Sequence, residues 1–197
     1  MALGCENRGD KKGAVRAYHK AIEVDPKNAE AHNFLAVLLE KIGNQVGANA
    51  EYSEAYMIEL EIKLAHDPNN AEAYLHLALE CEDRGDMERA QRAYHKAIEV
   101  DPKNAKAHNF LAILLEEIGN QVGANAEYYE ADMIKLEIKL AHDPNNAEAN
   151  FDLALECEDR GDMERAVRAY HKAIEVDPKN AKAHYYLADL AALAPEA

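Results

Sequence analysis

Apolar residues recur along this chain at intervals of three and four. Leu77, Ala78 and Cys81 share one helical face, and Ala90, Tyr94 and Ala97 share another. That spacing belongs to amphipathic α-helix rather than to strand. Two kinds of break interrupt it. Asp-Pro pairs stand at Asp25-Pro26, Asp67-Pro68, Asp101-Pro102, Asp143-Pro144 and Asp177-Pro178. Proline has no N–H to donate and biases its predecessor away from helix, so each pair ends a helix. The Asn and Ala that follow suit a new helix start. Between these breaks, Gly9, Gly43, Gly85, Gly119 and Gly161 mark tight helix–helix turns. The pattern predicts an all-α chain of antiparallel helix pairs, each with one apolar stripe. A single pair cannot bury that stripe; pairs stacked side by side can.

The breaks are themselves periodic. The string YHKAIEVDPKNA begins at Tyr18, Tyr94 and Tyr170, 76 residues apart. Residues 29–104 and 105–180 align without a gap and differ at ten positions, among them Glu30/Lys106, Val37/Ile113, Ser53/Tyr129, Tyr56/Asp132 and Leu75/Phe151. Near-identity of this kind marks recent duplication or deliberate construction.

Within residues 71–104, Tyr74, Leu77, Ala78, Cys81, Gly85, Ala90, Tyr94, Ala97 and Pro102 stand at the spacing of a 34-residue repeat. On these positions the chain resembles the tetratricopeptide repeat family. Residues 147–180 repeat the pattern through Leu153, Ala154, Cys157, Gly161, Ala166, Tyr170, Ala173 and Pro178, with Asn150 where a bulky residue is usual. The resemblance implies a right-handed α-solenoid, a superhelix of stacked antiparallel helix pairs, as a single array over residues 1–197. Its parts are a truncated repeat at 1–28, long repeats at 29–70 and 105–146, short repeats at 71–104 and 147–180, and a lone helix at 181–197.

The long repeats have 42 residues. Ala48, Tyr52 and Ala55, like Ala124, Tyr128 and Ala131, match the second helix, so the eight extra residues precede the Asp-Pro pair. They lack Gly and Pro and predict about two further turns, roughly 12 Å of helix. At the amino end only Ala2 to Arg8 are left to form a first helix. The carboxyl-terminal helix, stopped by Pro195, shows Leu187, Leu190, Ala191 and Leu193 with few charges, a weak cap for a solenoid. Fraying is one expectation for these ends and self-association through them is the other.

Composition narrows the partners. The formal net charge is −15, so the summed field repels phosphate, disfavours nucleic acid and anionic membrane, and favours basic polypeptides. No signal-peptide stretch and no bilayer-length apolar run is visible, which makes the cytoplasm the expected compartment. Cys5, Cys81 and Cys157 occupy one core-facing repeat position and read as buried thiols. The nine histidines recur singly, as His19/His95/His171, His32/His108/His184 and His66/His142, so they reflect repeat copying rather than a metal cluster. No phosphate loop, nucleophile elbow or Ser/His/Asp set is present, so the chain reads as non-enzymatic, without cofactor or metal.

In the family, the first helices line a concave groove. Carried over, the resemblance implies a peptide-binding face at Asn33, Phe34, Val37, Leu75, His76, Leu79, Glu82, Asn109, Phe110, Ile113, Glu116, Phe151, Asp152, Leu155 and Tyr185, apolar along its middle and acidic along one edge. Val37 or Leu79, and Asn33 or Leu75, replace the Asn and Lys of a carboxylate clamp. The expected ligand is therefore a basic, amphipathic segment. The competing expectation is a structural or designed repeat without a specific ligand. The long repeats add a stripe of their own: Phe34, Leu38 and Ile42, and Phe110, Leu114 and Ile118, lie at i, i+4 and i+8, where the short repeats carry His76, Glu80 and Arg84. Leu38, Ile42, Leu114 and Ile118 are accordingly candidates for an interface with another chain or a second copy.

Overall fold

The computed structural model describes residues 10–193, and the side chains of residues 10–192. Cys5, the short helix expected over residues 2–8, the side chain of Leu193 and the stop at Pro195 lie outside the described residues. Ten helices follow one another there: α1 (Lys11–Val24), α2 (Ala29–Lys41), α3 (Gln45–His66), α4 (Ala71–Asp83), α5 (Met87–Val100), α6 (Ala105–Glu117), α7 (Gln121–His142), α8 (Ala147–Asp159), α9 (Met163–Val176) and α10 (Ala181–Leu193). The fold is an all-α solenoid of antiparallel helix pairs. It divides into two compact units, Met1–Asp101 and Pro102–Ala197.

Local chemistry sets every boundary. Each helix from α1 to α9 starts behind an Asp or Asn whose side chain accepts a backbone N–H three residues on, as Asn28 does from Ala31 (2.9 Å) and Asn146 from Ala149 (2.9 Å). In the Asp-Pro turns the Asp carboxylate accepts the N–H two residues later, for example Asp25 from Lys27 at 3.2 Å. The mid-repeat turns need a left-handed residue. Gly43, Gly85, Gly119 and Gly161 supply it with φ between 77 and 82°. The N–H after each glycine then reaches back to a carbonyl five residues earlier, as Asp86 does to Cys81 at 2.8 Å.

Alanine controls how closely the pairs approach. Ala48, Ala55, Ala90, Ala97, Ala124, Ala131, Ala166 and Ala173 on the second helices are at most 1% exposed, against Leu35, Ala78, Leu111 and Ala154 on the first helices, all fully buried. A tyrosine on the second helix locks each pair by donating its hydroxyl to a glutamate near the end of the first. Tyr94 reaches Glu82 and Tyr170 reaches Glu158, both at 2.7 Å, and Tyr128 reaches Glu116 at 3.2 Å. The fourth residue of the first helices ties back to the preceding turn. His32, His108 and His184 donate Nε2–H to the carbonyls of Pro26, Pro102 and Pro178 at 3.1–3.3 Å, and the amide of Asn150 does the same to Pro144 at 3.2 Å. His32 and His108 also place Nδ1 2.7 Å from Glu51 and Glu127 of the second helix. The unusual Asn150 thus keeps the turn contact of the histidines it replaces.

The inserted residues are helical: α3 and α7 have 22 residues where α5 has 14. Met57, Ile58 and Leu60 are buried, as are Met133 and Ile134. In the second unit Met133 joins the cluster of Ala154, Cys157, Ala166, Ala169, Tyr170 and Ala173, so the extension lies on the short repeat that follows it. One face of the extension carries an ionic junction. Glu61 accepts from Lys27 (3.0 Å) and Arg89 (2.9 Å), joining the turn before α2 to the start of α5. Glu137 does likewise with Lys103 (3.5 Å) and Arg165 (3.2 Å).

The apolar stripe expected on the long repeats is shorter than its sequence pattern. Leu38 is 2% exposed and Leu114 fully buried, so these two are core residues and not a free interface. Leu38 belongs to a cluster with Ala14 and Tyr18 of α1, Leu35, Leu39 and Ala48; the preceding second helix, rather than the extension, covers it. Ile42 and Ile118 remain 47% exposed. At the carboxyl end, Leu190 is buried against α9 and Leu187 packs on the same cluster.

Two outcomes follow from this packing. Leu114→Glu places a carboxylate where no water or partner reaches it and is expected to cost about 3–5 kcal/mol, read as a lower denaturation midpoint and lost helicity on mild heating. The Lys27 hydrogen bond, with Arg89 assisting, holds the Glu61 carboxyl below the ordinary glutamate range. A depressed acid stabilises the fold above its unfolded pKa and loses that contribution as pH falls through the folded one. Glu61→Gln is therefore expected to lower the melting temperature at neutral pH, by a difference that vanishes in acid; an equal difference at both pH values would contradict the junction.

Candidate protein-interaction surface

In the first unit, the residues carried over as a groove are largely engaged. Phe34 stacks on Tyr18 with centroids 5.8 Å apart and keeps 37% of its surface exposed. Asn33 donates to Glu59 at 3.2 Å, and Val37 and Leu79 are half-buried. Leu75 is only 7% exposed, so it serves as core rather than as an anchor for a ligand. His76 sits edge-on to Tyr56, with Nδ1 2.8 Å from the tyrosine hydroxyl. Behind it, Arg84 binds Glu80 (3.4 Å), Glu54 (2.9 Å) and the hydroxyl of Ser53 (3.0 Å), while that hydroxyl donates to Glu80. Glu82 is the acceptor for Tyr94.

The second unit keeps the backbone plan and changes the chemistry. Asn109, Phe110 and Leu155 are half-buried, Ile113 is 40% exposed and Glu116 receives the Tyr128 hydroxyl. Phe151, half-buried where its counterpart Leu75 is buried, packs 5.8 Å from both Tyr170 and Tyr186, and those two tyrosines stack at 6.0 Å. Tyr185 meets Tyr186 edge-on at 5.5 Å and is 68% exposed. Burial and the neighbouring Glu158 push the Tyr170 phenol far up, so it remains a donor at every physiological pH.

Four of the ten differences between copies change the acids of this surface. Tyr56 and His76 become Asp132 and Asp152, which removes a hydrogen-bonded pair and adds two carboxylates. Ser53 becomes Tyr129, whose ring takes the guanidinium of Arg160 at 4.0 Å. Arg160 also donates to the carbonyls of Asn125 (3.2 Å) and Ala126 (3.4 Å). It thereby leaves Glu156 without the partner that Glu80 finds in Arg84. Glu59 becomes Lys135, which binds Asp132 at 2.8 Å. Asp152 and Glu156 are thus half-buried carboxylates without a hydrogen bond or ion pair among the described residues. Burial, helped by Glu148 for Asp152 and by Asp132 and Asp159 for Glu156, holds both above the ordinary carboxylate range. Sequence reasoning selected Asp152 but not Glu156; the change of Ser53 to Tyr129 was the available signal, and its effect on an arginine four residues beyond Glu156 was not visible along the chain.

Other chemistry is sparse. Among the described residues no group of three or more His, Cys, Asp or Glu is placed to hold a metal ion, and no helix is long and apolar enough to cross a membrane. Cys81 and Cys157 are buried, which pushes both thiols up.

Comparison with known families matches one description, TPR repeat, at residues 7–43 and 156–192, and a second, tetratricopeptide repeat, at residues 77–133. Together these matches take in more than half of the chain. It belongs to the tetratricopeptide repeat family. As such it is a helical-repeat scaffold for protein–protein interaction. Among solved structures, the tetratricopeptide array is similar to MamA, with 26% identity over 92% of this chain and 97% of that one and a TM-score of 0.37. A second MamA structure gives 27% identity over 92% and 91% with a TM-score of 0.39. YrrB, described as a TPR protein with an unusual peptide-binding site, gives 17% identity over 94% and 87% with a TM-score of 0.34. Comparison with curated proteins gives no match.

The unpaired acids have a measurable signature. A carboxyl raised by burial adds stability while protonated and loses it as pH rises through the folded pKa. The double substitution Asp152→Asn, Glu156→Gln is therefore expected to raise the melting temperature at neutral pH and to leave it unchanged in acid, checked by calorimetry across that range.

Proposed function

We propose that the chain is a non-enzymatic scaffold that binds a basic, amphipathic polypeptide segment along the first helices of its repeats. The observation that carries this reading is the pair Asp152 and Glu156, half-buried and unpaired on the same helix as Phe151. Carboxylates partly withdrawn from water without a cation cost stability, and an incoming Lys or Arg recovers part of that cost on binding. The Phe151, Tyr185 and Tyr186 rings offer apolar area for the other face of the segment and quadrupoles suited to a guanidinium. The net charge of −15 steers basic segments toward the surface and repels nucleic acid.

The competing reading, a structural repeat without a ligand, predicts differences between copies scattered over solvent-facing sites. Six of the ten instead fall on the middle of the long helix and the start of the next first helix, at 53/129, 56/132, 59/135, 74/150, 75/151 and 76/152. That clustering favours recognition.

Isothermal titration with three synthetic helical peptides tests the proposal: a Lys/Arg-rich amphipathic sequence, its acidic isomer, and a scrambled basic control. The amphipathic basic peptide is expected to bind best, and Asp152→Asn, Glu156→Gln to weaken it by about tenfold, the order expected for a desolvated charge pair. Equal affinity for the scrambled control, or an unchanged affinity in the double variant, would overturn it.

A further inference from the structure

The mid-repeat turns of the two long repeats are near-identical in sequence and differ in charge, with Glu40 and Lys41 in the first against Glu116 and Glu117 in the second. Each exposes an aliphatic pair, Ile42 and Val46 in the first unit (47% and 83% exposed) and Ile118 and Val122 in the second (47% and 84%). Beside the second pair stand Glu116 and Glu117, both exposed; position 117 is one of the ten differences, with Lys41 in the first copy. Ile42 borders a cleft of about 510 Å³ lined also by Lys11, Lys12, Val15 and Arg16. Lys11 reaches the carbonyl of Lys41 at 3.4 Å, which gathers the cations at this edge. The lysine pair of this rim belongs to α1: where it has Lys11 and Lys12, α5 has Met87 and Glu88, and α9 has Met163 and Glu164.

We propose that the Ile118–Val122 edge of one molecule docks into the Val15–Ile42 cleft of a second copy, with Glu117 facing Lys12 and Arg16. The occupant is argued from complementarity. On a chain with net charge −15, this cleft is an apolar surface rimmed by cations, and the Ile118–Val122 edge is an aliphatic pair of matching type flanked by acids. Aliphatic contact supplies the gain from water, and the opposed charges set register and exclude like-with-like pairing of either edge. Because donor and acceptor surfaces differ, each contact leaves one edge of each kind free, to engage a further copy or to close reciprocally with the same one. It does not involve Asp152, Glu156 or the aromatic cluster, so it stands apart from the peptide-binding proposal.

Sedimentation velocity on the full chain tests it. The unmodified protein is expected to show a sedimentation coefficient that climbs with concentration. Ile42→Asp removes the accepting edge and Val122→Asp the donating edge, and each variant alone is expected to stay monomeric with unchanged far-UV circular dichroism. Mixed in equal amounts, they retain one intact edge each and are expected to form a species of twice the monomer mass and nothing larger. Lys12→Glu with Arg16→Glu, both exposed, provides a second way to disable the cleft should Ile42→Asp disturb the turn. A wild-type protein monomeric at millimolar concentration, assemblies that survive both single substitutions, or a mixture that stays monomeric or grows beyond the dimer would each overturn the proposal.

Discussion

A helix with a single apolar stripe is stable only when a neighbour covers that stripe, and nearly every feature of this chain answers to that requirement. The second helices meet it with alanine at closest approach, so that backbones can draw together around Leu35, Leu111 and their equivalents. Close approach leaves little room for polar groups, and those present are tied in place. The tyrosine hydroxyls reach the glutamates of the paired helix, and the fourth residue of four first helices reaches a proline carbonyl. These bonds fix the two helices of a pair to each other and to the preceding turn, while apolar burial supplies the stabilisation.

The extended helices show how such an array takes an insertion without losing its packing. Eight residues do not complete a whole number of turns, so the apolar face rotates across them. Met133 turns onto the following short repeat, and Glu61 and Glu137 occupy the face that would otherwise look toward unlike neighbours. A carboxylate between a lysine of the preceding turn and an arginine of the next second helix is tolerant of rotation in a way that a methyl contact is not. The insertion thereby becomes a strut between repeats.

Two copies with one backbone plan also separate scaffold from surface. The residues that form the pairs are kept, while Ser53/Tyr129, Tyr56/Asp132 and His76/Asp152 convert an internally satisfied seam into one with unpaired acids. The key change is indirect: an aromatic ring captures Arg160, and the carboxylate that arginine would have served is left open.

The sequence by itself determined the helices, their ends and their pairing. Asp-Pro pairs, capping Asn and Asp, and left-handed glycines act over a few residues, so their effect is readable in order along the chain. The family resemblance and the helical nature of the insertion were legible for the same reason. The candidate surface was legible only in outline. Phe34, Phe151, Asp152 and Tyr185 could be placed on first helices, but the burial of Leu75, Leu38 and Leu114 could not, because it depends on which neighbouring helix crosses each stripe. The partners of Glu82, Glu116 and Glu156 were hidden likewise, since each is decided by a side chain on another helix, twelve or more residues distant for the two tyrosine acceptors and displaced from its usual mate in the third. Periodicity says which face a residue occupies; only packing says what covers that face.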